Sequence, residues 1–297
     1  MKNKNVVRAE MMLVVVTIIW GLGFPITDIA LESGFGTNTI MVGRFLTASI
    51  LLTAIYYKKI KEFDKKTVIY GAFTGIFLFL GFYYQTLGNA YTTPTKNGFI
   101  TQLNIIFVPF LYYLFFRKRV SYYNMISVLI AISGLFVLTY SSEGLSGINI
   151  GDFYTFICAI MIAFHVVTSS YYQKKYDLDP VLFTLANMYI AMIFSIVLMF
   201  GYEEVPAITL GNIWPLIILG VFNTAFGFLV QSYALKISHP TRVSLIVALE
   251  SLFGAVGSVL IVNDILTINI VIGGMLIISA ILVTELKPFN KHFIVKN

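Results

Sequence analysis

Long apolar stretches alternate with short polar segments along the chain from Met11 to Glu285. Most stretches are about twenty residues long, and a helix of that length crosses the roughly 30 Å hydrocarbon core of a bilayer. Strands of a membrane barrel would be shorter and would alternate polar with apolar residues, which these stretches do not. The pattern therefore predicts an all-α integral membrane protein. Its ten predicted transmembrane helices are residues 9–31, 38–57, 67–87, 93–116, 122–140, 151–173, 180–200, 211–234, 241–262 and 265–285.

Composition argues against a cytosolic enzyme. Hydrophobic residues make up 58% of the 297 positions and charged residues 11%, with a mean hydropathy of +0.85, whereas soluble proteins carry about 25% charged residues. The net charge of +6 does not indicate a nucleic-acid partner, because the basic residues are scattered in loops and not gathered on one face. Cys158 is the sole cysteine, which excludes an intrachain disulfide and a cysteine metal cluster. The first apolar stretch exceeds a signal-peptide core and lacks a small-residue cleavage site, so we expect a retained helix.

The Lys and Arg distribution predicts the orientation, since basic residues near helix ends are retained on the cytoplasmic side. With the N-terminus inside, only Lys96 among the loop cations falls outside, while Arg44 lies within a span. The outer loops then hold mostly the acids Glu32, Glu143, Asp152, Glu203, Glu204 and Asp264. We therefore expect a multi-pass protein of the cell membrane with both termini cytoplasmic. The cytoplasmic cations are Lys2, Lys4, Arg8, Lys58, Lys59, Lys61, Lys65, Lys66, Arg117, Lys118, Arg119, Lys174, Lys175, Lys236, Arg242, Lys287, Lys291 and Lys296.

The chain contains an internal repeat. Sliding the sequence against itself by 146 residues aligns helices 3 to 5 with helices 8 to 10 without a gap, and Gln…Pro-Thr-Lys of residues 85–96 meets Gln…Pro-Thr-Arg of residues 231–242. Each copy has five helices, an odd number, so the second copy is predicted to lie inverted relative to the first. Secondary transporters use this construction and bind their solutes where the copies meet. We predict five-helix repeats at residues 9–140 and 151–285.

Short motifs follow one another in a characteristic order along the predicted helices. They are Trp20 to Pro25, Arg44, Thr92 to Lys96, Gly151-Asp152, Ala159 to His165, Gln231 to Ala234, His239 to Thr241 and Leu249 to Ser251. Together they resemble the drug/metabolite transporter superfamily, specifically its two-repeat EamA-type permeases, over nearly the whole chain. The resemblance implies alternating access around a central cavity, and transport of amino acids, other metabolites or drugs, commonly outward. Many such permeases have a proline where this chain has Ser251, so the resemblance does not by itself predict a kink there.

One carboxylate is expected near the middle of the membrane. Glu250 lies eight residues into helix 9 from Arg242, about 12 Å along the helix axis. An ionisable group at that depth costs about 2.5 kcal/mol or more and is turned toward a partner or water. Glu250 could therefore exchange a proton, bind an amine or bridge polar groups on neighbouring helices. Its repeat counterpart is Asn104, so the two halves differ by one charge at corresponding depth.

Amide side chains within the spans also need polar surroundings, because unpaired polar groups in hydrocarbon are costly. Asn97, Thr101 and Asn104 share one helical face through their i, i+4, i+7 spacing, and Gln102 lies nearby. Trp20 and tyrosines could add amphipathic contacts to an organic solute. The predicted cavity lining is Glu250, Asn104, Asn97, Thr101, Gln85, Gln231, Trp20 and Tyr84.

Two cations begin repeat-related helices at opposite faces of the predicted fold. Lys96 and Arg242 lie at helix N-termini, where exposed N–H groups already attract anions, so they could form gates or contact an anionic solute. The alternative is that both side chains snorkel to lipid headgroups. Arg44 is expected to pair with Asp28 or Glu32 near the same outer face.

These features predict a secondary transporter that exports a small organic metabolite, such as an amino acid or related compound, or a drug, by alternating access. The alternatives are an uncoupled facilitator, an importer, or a membrane scaffold or sensor that does not transport. The sequence has neither the H-E-x-x-H zinc motif nor the G-x-x-x-x-G-K-[ST] phosphate loop. We therefore expect no enzymatic activity, no cofactor and no bound metal, and as partners a small solute, the bilayer and protons.

Overall fold

The structure, a computed structural model, describes residues 4–117, 122–139, 149–203 and 207–286. These residues form helices and connecting loops, and none of them forms a strand. Several residues used above to assign the orientation lie outside the described ranges: Lys2, Lys118, Arg119, Glu143, Glu204, Lys287, Lys291 and Lys296. The helices are α1 (Lys4–Glu32), α2 (Thr37–Ile55), α3 (Lys65–Asn89), α4 (Pro94–Thr101), α5 (Asn104–Phe116), α6 (Tyr122–Thr139), α7 (Ile150–Tyr176), α8 (Pro180–Tyr202), α9 (Trp214–Ile218), α10 (Gly227–Ile237), α11 (Pro240–Val247), α12 (Glu250–Val262) and α13 (Ile268–Leu286), with a π-helical segment at Leu219–Phe226 and a short 3₁₀ turn at Lys59–Glu62.

The predicted all-α class is confirmed for the described residues. Seven of the ten predicted spans correspond to helical segments that are long and apolar enough to cross a bilayer. The other three predicted spans, 122–140, 241–262 and 265–285, correspond to α6, to α11 with α12, and to α13. The seven segments long and apolar enough to cross a bilayer are Lys4–Glu32, Thr37–Ile55, Lys65–Asn89, Pro94–Phe116, Ile150–Tyr176, Pro180–Gly201 and Trp214–Ile237.

Two predicted spans are interrupted at positions that correspond under the 146-residue offset. The first breaks between α4 and α5 at residues 102–103, and the second between α11 and α12 at residues 248–249. At each break the helical bonds to the fourth preceding residue give way to bonds to the third. The donors are the N–H groups of Leu103, Ile105 and Ile106 in the first break and of Leu249, Ser251 and Leu252 in the second. The structure differs here from the continuous helices predicted, and no proline or glycine at these positions indicated it.

Helices α2 and α8, which occupy the same place in the two repeats, run antiparallel. At one end the Glu203 carboxylate, just after α8, accepts hydrogen bonds from the N–H groups of Asn38 (2.8 Å) and Thr39 (3.0 Å) in the first turn of α2. At the other end Lys59, just after α2, lies 2.7 Å from Asp179, which begins α8. The end of each helix therefore meets the start of the other.

Helix α1 lies deep in the bundle because small residues let it approach α12 closely. A β-carbon at Gly21 would lie 2.7 Å from the backbone nitrogen of Gly254 and 2.8 Å from the carbonyl oxygen of Glu250. Only a glycine therefore fits between the two backbones without displacing one of them. This contact places the middle of α1 beside the second helix break.

Candidate functional site

A cavity lies between the two halves of the chain and is lined by both helix breaks. The volume open to water-sized molecules within it is about 50 Å³, which is more than the roughly 10–15 Å³ that a single buried water needs. Side chains from α1, α2, α3 and the first break face others from α7, the π-helical segment, α10, α11 and α12. The structure brings together six of the eight predicted lining residues: Trp20, Gln85, Thr101, Asn104, Gln231 and Glu250.

The other two predicted residues lie outside the cavity lining. Asn97 is fully buried behind it, where its amide donates to the carbonyl oxygen of Gln85 (2.8 Å). Tyr84 lies among tyrosines, with ring centroids 5.4 Å from Tyr83 and 6.1 Å from Tyr154. The helical spacing of Asn97 placed it correctly on the face of Thr101, but a neighbouring helix covers that end of the face.

Glu250 is the first residue of α12, directly after the second break. Its side chain is 7% exposed, and its carboxylate accepts a hydrogen bond from the Gln102 amide (3.3 Å) at the first break. A helix N-terminus favours negative charge through the helix dipole. The two breaks therefore meet at a hydrogen bond between the repeats, with the charge on the second repeat.

Asn104 holds the matching position as the first residue of α5. Its amide donates to the carbonyl oxygen of Thr101 (2.8 Å), which ends α4. The Thr101 hydroxyl donates to Asn97 (3.3 Å) and lies 3.4 Å from the amide of Gln85. The first break is thus held by a network of neutral polar groups, whereas the second carries a carboxylate.

The π-helical segment brings polar groups of the second repeat to the cavity. The Thr224 hydroxyl donates to the carbonyl oxygen of Leu219 (2.8 Å), five residues earlier. The indole N–H of Trp20 donates to the carbonyl oxygen of Asn223 (2.6 Å) across the two repeats. π-Helical turns occur often at functional sites, because the extra residue redirects side chains.

Arg44 also lines the cavity, but its neighbours are not the acids predicted from the sequence. Instead of pairing with Asp28 or Glu32, its Nε donates to the hydroxyl of Thr224 (3.2 Å), and its guanidinium lies 4.2 Å from the centre of the Phe82 ring. The side chain is 3% exposed. The cavity therefore carries buried groups of both charges, one from each repeat.

Among the polar lining residues that were not predicted from the sequence are Asn89, Asn223 and Ser244. Each lies in a helical segment that also contains many apolar residues, and each is at most 4% exposed. The cost of burying polar groups in hydrocarbon was the available signal. None of the three has a polar counterpart under the 146-residue offset, so the repeat did not draw attention to them.

Lys96 and Arg242, predicted as gate or anion contacts, each lie beside a carboxylate of the other repeat. Lys96 is 3.7 Å from Asp152 in the first turn of α7, and Arg242 is 3.4 Å from Glu10 in α1. The Lys96 pair is the more buried of the two, with side chains 16% and 4% exposed against 46% and 13%. Asp152 also accepts a hydrogen bond from the hydroxyl of Thr92 (2.6 Å).

Comparison with known proteins agrees with this architecture. A sequence model of the EamA-like transporter family matches the chain twice, at residues 7–140 and 149–286. An uncharacterized transporter of Archaeoglobus fulgidus is 29% identical over 94% of this chain and 86% of its own length, and one of Clostridium kluyveri is 22% identical over 80% of each. A solved crystal structure has the same fold, with a TM-score of 0.70 and 11% identity over 94% of this chain and 98% of that one. The chain belongs to the EamA-like transporter family and is a multi-pass membrane transporter.

Proposed function

We propose that the protein is a secondary transporter that exports a small organic solute by alternating access through the cavity between its repeats. The observation that carries this proposal is the meeting of the two helix breaks at the buried carboxylate of Glu250. Broken helices at corresponding positions of two repeats are typical of solute and coupling-ion sites in secondary transporters. Glu250 is the group that binds the solute or exchanges a proton during transport. Asn104 is the neutral residue at the corresponding position of the first repeat.

The repeats are inverted relative to each other in this proposal. Antiparallel packing of α2 and α8 supports it, because helices at the same position of inverted repeats must run in opposite directions. The Lys and Arg distribution supports ten spans with both termini in the cytoplasm. In this arrangement α11 with α12 forms one interrupted span, and α6 and α13 each form another.

The two ion pairs between the repeats serve as gates at opposite ends of the cavity. Lys96 and Arg242 correspond under the 146-residue offset, and each pairs with an acid near the start of a helix in the other repeat. Alternating access requires that one end open while the other stays closed. The deeper burial of the Lys96 pair supports a conformation in which the extracellular end is the closed one.

Replacement of Glu250 tests the proposal. Purified protein is screened by thermal shift against amino acids, nucleosides, organic anions and cationic drugs, and each stabilising compound is then followed as a labelled solute in proteoliposomes, with and without a pH gradient. Glu250→Gln keeps the size and a hydrogen-bonding group but removes the charge, and hydrogen bonds to charged groups contribute about 1.5–3 kcal/mol. We expect flux, or its response to the pH gradient, to fall about tenfold or more.

Asp177→Asn is the matched control, since it removes a carboxylate that is 89% exposed and lies outside the cavity. It should leave flux unchanged. Flux that is equal in wild type and Glu250→Gln at every pH would contradict the role of Glu250. A screen in which no compound binds or moves would favour a scaffold or sensor, and flux that ignores the gradient would identify an uncoupled facilitator.

A further inference from the structure

Three tyrosine rings from two helices stack at one end of the bundle. The ring centroid of Tyr70, in α3, lies 4.3 Å from that of Tyr172 and 4.6 Å from that of Tyr176, which are both in α7. The hydroxyl of Tyr70 donates a hydrogen bond to the hydroxyl of Tyr176 (2.9 Å). Because α3 and α7 belong to different repeats, this tyrosine stack joins the repeats at a place outside the lining of the central cavity.

Two lysines converge on one ring of the tyrosine stack. The ammonium group of Lys66, in the first turn of α3, is 5.1 Å from the centre of the Tyr176 ring, and that of Lys175, in the last turn of α7, is 5.4 Å from the same point. Lys175 also donates to the hydroxyl of Tyr171 (2.9 Å). The face of a tyrosine ring attracts cations, so this ring holds two like charges close together. Both lysine side chains are exposed.

The two lysines have no acidic partner within the described ranges of the chain, where neither ammonium group lies within ion-pair distance of a carboxylate. Three acids at the same end of the bundle, Asp64, Asp177 and Asp179, are bonded to other groups. Like charges that are held together repel each other. The arrangement therefore favours an anion that binds between the two lysines.

An apolar surface adjoins the lysine pair. Val68, Ile69 and Phe73 lie within two turns of Lys66 along α3, and all three side chains are exposed. The ring of Phe73 also contacts that of Tyr172 (5.9 Å between centroids), so the aromatic contacts continue from the stack along the helix. Tyrosines are enriched at the level of the lipid headgroups, where their rings meet both water and hydrocarbon. The site thus combines cations at the helix ends with an apolar surface next to them, which is the division found in a phospholipid.

We propose that this site binds an anionic phospholipid. Lys66, Lys175 and the hydroxyl of Tyr176 hold the phosphate, and the acyl chains lie along the exposed apolar surface of α3. The Tyr176 oxygen accepts its bond from Tyr70, so its own hydrogen is available for a phosphate oxygen. Lysines next to a bilayer attract the anionic lipids of the cytoplasmic leaflet, and the charge distribution predicts that this end of the bundle is cytoplasmic. A bound lipid bridges the two repeats, whichever solute the cavity carries.

Lipid binding to the purified full-length protein in a non-ionic detergent tests the site. Native mass spectrometry measures the lipid that the protein retains, and thermal shift measures its stabilisation. The ligands are phosphatidylglycerol and phosphatidylcholine with identical acyl chains, and inorganic phosphate. We expect phosphatidylglycerol to bind about tenfold or more tightly than phosphatidylcholine, because each lysine near an anionic lipid strengthens binding about fivefold. Inorganic phosphate at the same concentration should not stabilise the protein, because it has no acyl chains.

A pair of double variants assigns this preference to the site. Lys66→Gln/Lys175→Gln should reduce the preference for phosphatidylglycerol to about twofold or less. Lys61→Gln/Lys65→Gln is the matched control, since it removes the same charge from exposed positions at the same end of the bundle. This control should keep most of the preference. If the first double variant does not fold, the comparison of the three ligands on the wild-type protein decides.

Three results would overturn the inference. Equal affinity for the two lipids would show that the site does not recognise an anionic headgroup. Equal loss of the preference in both double variants would make the preference a property of the whole face and not of the tyrosine stack. Equal stabilisation by inorganic phosphate and phosphatidylglycerol would identify an anion site that does not require a lipid.

Discussion

Glu250 and Arg44 are buried side chains of opposite charge in one cavity, and each depends on neighbours from the other half of the chain. Glu250 accepts from Gln102 of the first repeat, and Arg44 donates to Thr224 of the second. The sequence could indicate Glu250, because a lone acid far inside an apolar span has few other uses. The neighbours of Arg44 could not be predicted from the sequence. Thr224 is brought to Arg44 by the π-helical segment, and no residue pattern in the sequence predicts that segment.

Outside the membrane spans, Asp179 links α2 to α8 and predicts a pH dependence of stability. Burial acts to raise the pKa of its carboxyl, but hydrogen bonds from Lys59 and from the N–H groups of Leu182 and Val181, with the charge of Lys59, lower that pKa below its ordinary value. The unfolded chain therefore binds the proton more readily than the folded one. The stability from this site is complete above about pH 5 and is lost as the pH falls through and below the ordinary pKa of about 3.9.

Asp179→Asn should remove that dependence at small cost near neutral pH. Asparagine is as good an N-cap as aspartate, so the N-cap bonds to Val181 and Leu182 remain. The ion pair to Lys59 is about one third exposed, and such pairs contribute about 0.2–1 kcal/mol. Denaturation in detergent from pH 7 to 3.5 measures the pH dependence of stability. A double-mutant cycle with Lys59→Met measures the contribution of the ion pair. Parallel loss of stability in wild type and Asp179→Asn across that range would contradict the assignment.

At the scale of helices, the length of the apolar stretches and the positions of the charged residues predicted where the helices lie. They did not predict the breaks within two of the spans. The spans predicted over 93–116 and 241–262 are each divided in two, and the 146-residue offset relates the divisions. The repeat had drawn attention to Asn104 and Glu250 as counterparts. That both are first residues of new helices could not be predicted, because the breaks use tighter hydrogen bonds among apolar residues and not proline or glycine.

The antiparallel packing of α2 and α8 predicts which loops share a membrane face. Lys61 follows α2, Asp177 precedes α8, and Thr209 follows α8; all three are exposed. Single cysteines at these positions, in a Cys158→Ala chain, should react with an impermeant maleimide from one face for residues 61 and 177 and from the opposite face for residue 209. The charge distribution predicts that the first face is cytoplasmic. Labelling of positions 61 and 209 from one face would contradict the proposed inverted repeats.

At the scale of the whole molecule, the two repeats supply different chemistry to one chamber. The first contributes Arg44 and the amides Asn89 and Gln102, and the second contributes Glu250 and Asn223. The helix breaks lie at corresponding positions because the two repeats share one architecture. Asn104 and Glu250 occupy corresponding positions but differ in charge, so the two repeats are not chemically equivalent. The repeat could be predicted from the sequence, and six of the eight residues predicted for the lining lie in the cavity, because both predictions rest on local spacing and polarity. The remaining lining residues could not be predicted, because their place in the cavity depends on packing between helices that are distant in the sequence.

The most direct test of this account is the accessibility of the cavity from each side of the membrane. Ser244 lines the cavity on α11 and is 2% exposed, so Ser244→Cys in a Cys158→Ala chain places one small thiol there. In oriented proteoliposomes, a charged methanethiosulfonate applied to either face should react with this thiol, and a bound solute should shift the ratio of the two rates. Equal rates that the solute leaves unchanged, or no reaction from either face, would contradict alternating access.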